Sequence, residues 1–158
     1  THLWSGGRTW TVTGTGYEPD GQFYSGDQRV TPHSENALQQ LLTFGMLCNH
    51  AELVTREENF VVDGDPTEGA LLVAGLKAGL SRESLQKKFT IVKEFPFDST
   101  RKMMSIIVVD QNGKHFSVTK GDPDVLVGKS ESILWEGRLQ YKSAEITQKV
   151  EEAISEMS

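Results

Sequence analysis

Cysteine is almost missing from this sequence: Cys48 is the only one in 158 residues, which excludes an internal disulfide and a thiolate zinc site. Long apolar runs are missing too. Ala70–Leu76 and Ile106–Val109 are the longest, far below the roughly 20 residues that span a bilayer. Thr1–Trp10 lacks the basic start and apolar core of a secretory leader. Positive charge is in short supply, with 16 Lys and Arg against 22 Asp and Glu and a formal charge of −6. That balance argues against nucleic acid and against a direct membrane contact, since both want a basic footprint. The four His (2, 33, 50 and 115) are scattered, with no pair at the spacing of a helical metal site. What is present is ordinary for a globular protein: 37% apolar and 24% charged residues, too apolar for disorder and enough for one core. A reducing, cytosolic compartment is the expectation.

The chain opens on Thr, and Ala144–Ser158 is a helical pattern (Ile146, Val150, Ile154, Met157) with no stop signal after it. A natural C-terminal helix would account for this. A single domain, residues 1–158, cut from a longer polypeptide accounts for both ends.

The pattern predicts a strand at Thr9–Thr15 and a loop or short hairpin over 17–30. A helix follows from Thr31-Pro32 with a stripe of Leu38, Leu41, Leu42, Gly45 and Cys48. Phe60–Val62 reads as a short strand. Asp65-Pro66-Thr67-Glu68 reads as a helix start, with Asp65 as cap, Pro66 in the first turn and Glu68 at the capping-box position. This helix ends at Gly79, and Ser81 caps a shorter one to Lys88. Strands at Phe89–Phe97, Arg101–Val109 and Lys114–Lys120 come next, the last two joined at Asn112-Gly113, and a helical segment starts at Pro123. Helices inserted among antiparallel strands mean an α+β fold, an antiparallel β-sheet flanked by helices.

Some apparent motifs fail. Gly14-Thr15-Gly16 lacks the third glycine of a dinucleotide fingerprint, and Gly128-Lys129-Ser130 has Pro123 where a P-loop needs its first glycine. Asp63-Gly64-Asp65 lacks the ligand spacing of a calcium loop.

Three segments carry possible chemistry. Asp65–Leu71, taken alone, is better explained by helix capping without any ligand. In Phe95–Ser105, Phe97 before a polar turn followed by Arg101 and Lys102 could stack on a base and hold a phosphate, or serve as a plain strand–turn–strand. In Val118–Asp124, Phe116, Val118 and Lys120 share a strand face, so Lys120 ends an apolar row and needs Glu68, Asp122, Asp124 or a bound anion as partner. Gly121 beside it lets a ligand approach the backbone; a snorkelling lysine is the plainer reading.

Together these segments, in this order and separation, resemble the nucleotide-binding domain of P-type cation-transporting ATPases, most nearly the bacterial calcium-pump branch. The carriers are Asp65-Pro66-Thr67-Glu68-Gly69-Ala70-Leu71, Phe95–Ser105 and Lys120-Gly121-x-Pro123-Asp124, and the resemblance covers essentially the whole chain. It implies ATP as ligand (Mg-ATP in the intact pump), with the γ-phosphate handed to an aspartate of a phosphorylation domain. It also implies that Phe97 stacks on adenine, Glu68 accepts from the exocyclic amine, and Thr67 lines the same wall. Lys120 and Gly121 would form the floor, and Lys102 and Arg101 would reach the phosphates. The implied partners are the phosphorylation and actuator domains of the same polypeptide. The implied location is a cytoplasmic domain of an integral membrane protein, and a monomer is expected.

The sequence departs from that family at two places. Asp122 stands where Ala is usual, so a carboxylate could neutralise Lys120; Ser99 stands where many relatives carry Arg. A plain two-residue hairpin at Asn112-Gly113 would pair Ser105 with Lys120 and put Lys102 on the opposite face, so a bulge or another register is required. The phosphorylation loop Asp-Lys-Thr-Gly-Thr is not found: Thr11–Thr15 has its tail without the Asp and Lys. The expectation is ATP binding without hydrolysis by this chain. A protein-interaction domain that binds no nucleotide is the alternative.

Overall fold

Trp10, Val12 and Phe23 alternate with polar residues along the N-terminal strands, and all three are buried. They form the inner face of a four-stranded antiparallel sheet of order β1-β2-β3-β4, comprising β1 (His2–Ser5), β2 (Arg8–Val12), β3 (Phe23–Ser25) and β4 (Gln28–Val30). This is a computed structural model that describes residues 1–157. The 17–30 region therefore does hold a hairpin, while β1 has no counterpart in the sequence reading. Thr31-Pro32 opens only a 3₁₀ turn (Pro32–Ser34). The chain is extended at Glu35, and helix α1 runs over Asn36–Leu47.

Helix α1 buries Leu38, Leu42 and Met46. It packs against α2 (Pro66–Lys77), and the two close tightly because Gly75 has no side chain: a Cβ there would sit 2.2 Å from Met46 Sδ. Asp65 caps α2 as expected, accepting from the amides of Thr67 and Glu68. Gly79, at φ +78°, ends it. Helix α3 (Arg82–Gln86) follows the Ser81 cap. Before α2 lies a hairpin, β5 (Glu52–Arg56) with β6 (Asn59–Asp63). Only the second strand is evident in the sequence, because the turn residues Glu57 and Glu58 take left-handed φ of 49° and 64° without a glycine to mark them.

The second main sheet is the antiparallel meander β7 (Phe89–Asp98), β8 (Met103–Asp110) and β9 (His115–Gly121). Met104, Ile106 and Val108 on β8, with Val118 on β9, face the helices and join the principal core. Strand β7 is an exposed edge, offset at two bulges, Ile91/Lys93 and Phe95/Asp98. Helix α4 (Pro123–Lys129), the hairpin β10 (Ser132–Trp135) with β11 (Arg138–Tyr141), and α5 (Ala144–Met157) complete the chain. They close over a smaller core of Trp135, Ile146 and Val150, with Trp4 against Trp135. The fold is α+β, antiparallel sheets flanked by helices, as the sequence indicates. No described helix is long and apolar enough to cross a membrane.

Candidate functional site

The β8–β9 connection decides what faces the helices. Gly113, at φ +78°, donates to Asp110 O, and Asp110 and Lys114 close a three-residue loop, one residue longer than a plain hairpin turn. The register therefore pairs Met104 with Lys120 and Ser105 with Thr119. Lys120 ends the buried row that includes Val118 and points toward the helices, as its place in the sequence implied. A half-buried ammonium there needs a counter-charge, and of the candidates the structure selects Glu68: Lys120 Nζ donates to Glu68 Oε1.

Glu68 is the most consequential side chain of this region. It occupies the capping-box position of α2, yet it does not fold back onto Asp65. Its Oε2 accepts from the backbone N–H of His50 at 2.9 Å, and its Oε1 takes Lys120. Burial pushes the Glu68 carboxyl upward, but the Lys120 hydrogen bond, the His50 amide and the Lys120 charge outweigh it and hold it below its ordinary value. Each oxygen carries one protein partner and keeps lone-pair capacity for a further donor.

The loop that offers the His50 amide is held by a polar cluster that sequence patterns did not single out. Asn49, 3% exposed, donates to Gly45 O (3.1 Å) and Glu68 O (2.7 Å) and accepts from the Ala51 amide (2.9 Å). Arg82 at the start of α3 donates to Asn49 O at 3.1 Å and to Ala51 O at 2.5 Å. The His50 ring lies 2.9 Å from Glu94 Oε2 on β7. Asn49 and Arg82 belong to no motif; the burial of Asn49 and the hydrogen bonds of Arg82 to its loop reveal them. Cys48 beside them is buried with its thiol pKa pushed up by desolvation, so it is a core residue.

Phe97 sits at the second bulge of β7 and is 65% exposed, which makes it an open aromatic face. Thr67 is exposed on the first turn of α2, its amide held by Asp65. Arg101 is committed to its own turn: its N–H donates to Asp98 Oδ1 at 2.8 Å, and its guanidinium donates to Pro96 O at 2.9 Å. Gly121 answers a different need from the expected one. A Cβ there would lie 2.3 Å from Lys102 O, so its bareness admits the backbone of the neighbouring strand.

Lys102, at φ +54°, has its Nζ 3.3 Å from Asp122 Oδ2. Asp122 thus pairs with Lys102, not with Lys120 as its sequence position suggested. Its Oδ1 caps α4 by accepting from the Val125 amide at 3.2 Å. Asp122-Pro123 repeats the Asp65-Pro66 signal, which could have identified this cap. The Val125 amide and, with it, Lys102 outweigh the opposing effect of burial and hold the Asp122 carboxyl below its usual range, so it is ionised at neutral pH.

By register Lys120, Lys102 and Phe97 thus lie toward one end of the β7-β8-β9 sheet, and Glu68 meets Lys120 there from α2. Among the described residues no group of three or more His, Cys, Asp or Glu could hold a metal ion. The arrangement offers an aromatic face, a carboxylate acceptor and two amines, which suits a small anionic ligand with a planar ring.

Residues 37–158 match the family model described as P-type ATPase, cytoplasmic domain N. The chain is 48% identical over 137 residues to the "Calcium-transporting ATPase" of Bacillus subtilis (strain 168), covering 87% of this chain. It is 36% identical over 141 residues to "Calcium-transporting ATPase 1" of Bacillus cereus (strain ATCC 10987 / NRS 248), covering 86%. With "Cation-transporting ATPase pma1" of Synechocystis sp. (strain ATCC 27184 / PCC 6803 / Kazusa) it shares 34% over 137 residues, or 84% of the chain. The chain spans 15% of the length of each of these relatives. On the family match and these identities, the chain belongs to the cytoplasmic domain N of the P-type ATPases.

Proposed function

We propose that residues 1–158 form one nucleotide-binding domain that takes ATP on the face formed by Phe97, Thr67, Glu68, Lys102 and Lys120. In the parent polypeptide it presents the γ-phosphate to an aspartate of a separate phosphorylation domain, alongside an actuator domain, in a cation pump whose cargo is calcium. The calcium assignment rests on the names of the relatives. Phe97 stacks on adenine and Glu68 accepts from its exocyclic amine. Guanine presents a carbonyl oxygen at the same place and is disfavoured. Lys120 lies on the floor of the pocket and Lys102 reaches the phosphates, with magnesium arriving on ATP. Arg101 and Gly121 act one step removed, by shaping the Asp98–Lys102 turn and the β8–β9 contact. This chain lacks the acceptor aspartate and binds ATP without hydrolysing it.

The observation that carries this reading is the exposed ring of Phe97 at a strand bulge, on the same sheet end as a carboxylate and two amines. The Lys120–Glu68 pair favours a second reading, since an internally satisfied lysine suits an interaction domain with no ligand equally well. Titration calorimetry separates the two. One stacking ring and two weakly held cations correspond to a Kd of roughly 0.1–1 mM for ATP. ADP and AMP should fall within about tenfold of it, with GTP weaker. An absence of heat with every nucleotide favours the interaction domain.

A further inference from the structure

We propose that Asp122 is a built-in competitor for the phosphates of the nucleotide, holding Lys102 until the ligand displaces it. This rests on the nucleotide-binding reading above and adds a control on affinity to it.

The two carboxylate oxygens of Asp122 do separate jobs. Oδ1 accepts from the Val125 amide and caps α4, while Oδ2 faces the Lys102 ammonium at 3.3 Å. The main chain keeps the partners adjacent whatever their side chains do. The Asp122 amide donates to Lys102 O at 2.9 Å, and the Lys102 amide donates to Asp98 O at 2.7 Å, fixing the left-handed backbone of Lys102. The lysine head is therefore on a flexible stem above a fixed base, and its side chain is 59% exposed. An exposed ion pair of this kind is weak, so a phosphate can break it. The released carboxylate cannot leave, because its other oxygen is anchored at the cap. It stays beside the phosphates as a fixed negative charge and opposes them. No other carboxylate of the described residues pairs with Lys102, and Lys120 is engaged by Glu68. The cost therefore falls on ligands in proportion to their phosphate charge, and adenosine escapes it.

Asp122→Asn is the discriminating variant. Asn caps a helix as well as Asp does, so α4 is preserved while the charge is removed. Binding of ATP and of adenosine is measured by calorimetry for the unmodified chain, Asp122→Asn, Lys102→Met and the double variant, at low and at high salt. ATP should bind about three- to tenfold more tightly to Asp122→Asn, with adenosine unchanged within about twofold. The gain should shrink at high salt and should be smaller when Lys102 is already Met. Unchanged or weaker ATP binding to Asp122→Asn, with adenosine still bound, overturns the competitor and leaves the nucleotide site standing. If the unmodified chain binds neither ligand, the nucleotide reading itself fails and the competitor with it.

Discussion

Glu68 in the first turn of α2 and Lys120 at the end of β9 lie 52 residues apart in sequence and form one ion pair that ties the helices to the sheet. The pair is partly shielded, with Glu68 12% and Lys120 26% exposed, so it behaves differently from a surface salt bridge. Removing the amine leaves a shielded carboxylate with only the His50 amide. Lys120→Met should lower unfolding stability by about 1–3 kcal/mol, read from urea denaturation. Lys120→Arg should recover part of it.

The same pair sets an acid limit. The Glu68 carboxyl is depressed in the folded chain relative to its ordinary value of 4.5. Its stabilising contribution is therefore fully present above that value and is lost as pH falls through and below it. Denaturation midpoints measured from pH 7 down to pH 3 should fall in the acid region, and Glu68→Gln should flatten that fall. A variant as acid-sensitive as the unmodified chain would place the titrating group elsewhere.

Asn49 should be costly to remove. Asn49→Ala deprives Gly45 O, Glu68 O and the Ala51 amide of a buried partner, and a loss of about 2–4 kcal/mol is expected from stranded polar groups. Arg82→Ala should destabilise less, because it leaves the three side-chain hydrogen bonds of Asn49 to Gly45 O, Glu68 O and the Ala51 amide in place. Thermal unfolding of the two variants side by side gives the order.

Phe97 should behave in the opposite way. With 65% of its surface exposed, Phe97→Ala should change stability by less than about 0.5 kcal/mol. It should cost about 1–3 kcal/mol of adenine binding. A cooperative unfolding transition shifted far downward would show the ring to be a core residue.

Which parts of the molecule can be read in advance follows from where each signal lies. Asp65-Pro66 and Ser81 announce their helices because the capping groups are adjacent in sequence. The Phe116–Val118–Lys120 row is legible because a strand repeats every two residues. The choice of Glu68 over Asp122 as the partner of Lys120 was not, since it depends on one extra residue in the Gln111–Gly113 loop, which shifts every pair between β8 and β9. Strand β5 escaped because Glu57-Glu58 turns without a glycine. Asn49 and Arg82 escaped because their importance comes from hydrogen bonds between the 49–51 loop, α2 and α3, a property of packing and not of local pattern. The packing role of Gly121 is likewise invisible in the sequence, since its neighbour is the backbone of Lys102.

The central claim is that adenine nucleotides bind the face bearing Phe97, Glu68 and Lys120. Chemical-shift mapping of the labelled chain during titration with ATP, and separately with GTP, tests it most directly. The account predicts ATP-dependent shifts centred on Phe97, Thr67, Lys102 and Lys120, with much smaller ones for GTP at equal concentration. No shifts at these residues, or shifts gathered instead at the cleft of about 570 Å³ lined by Phe23, Arg29 and Lys77, would contradict it.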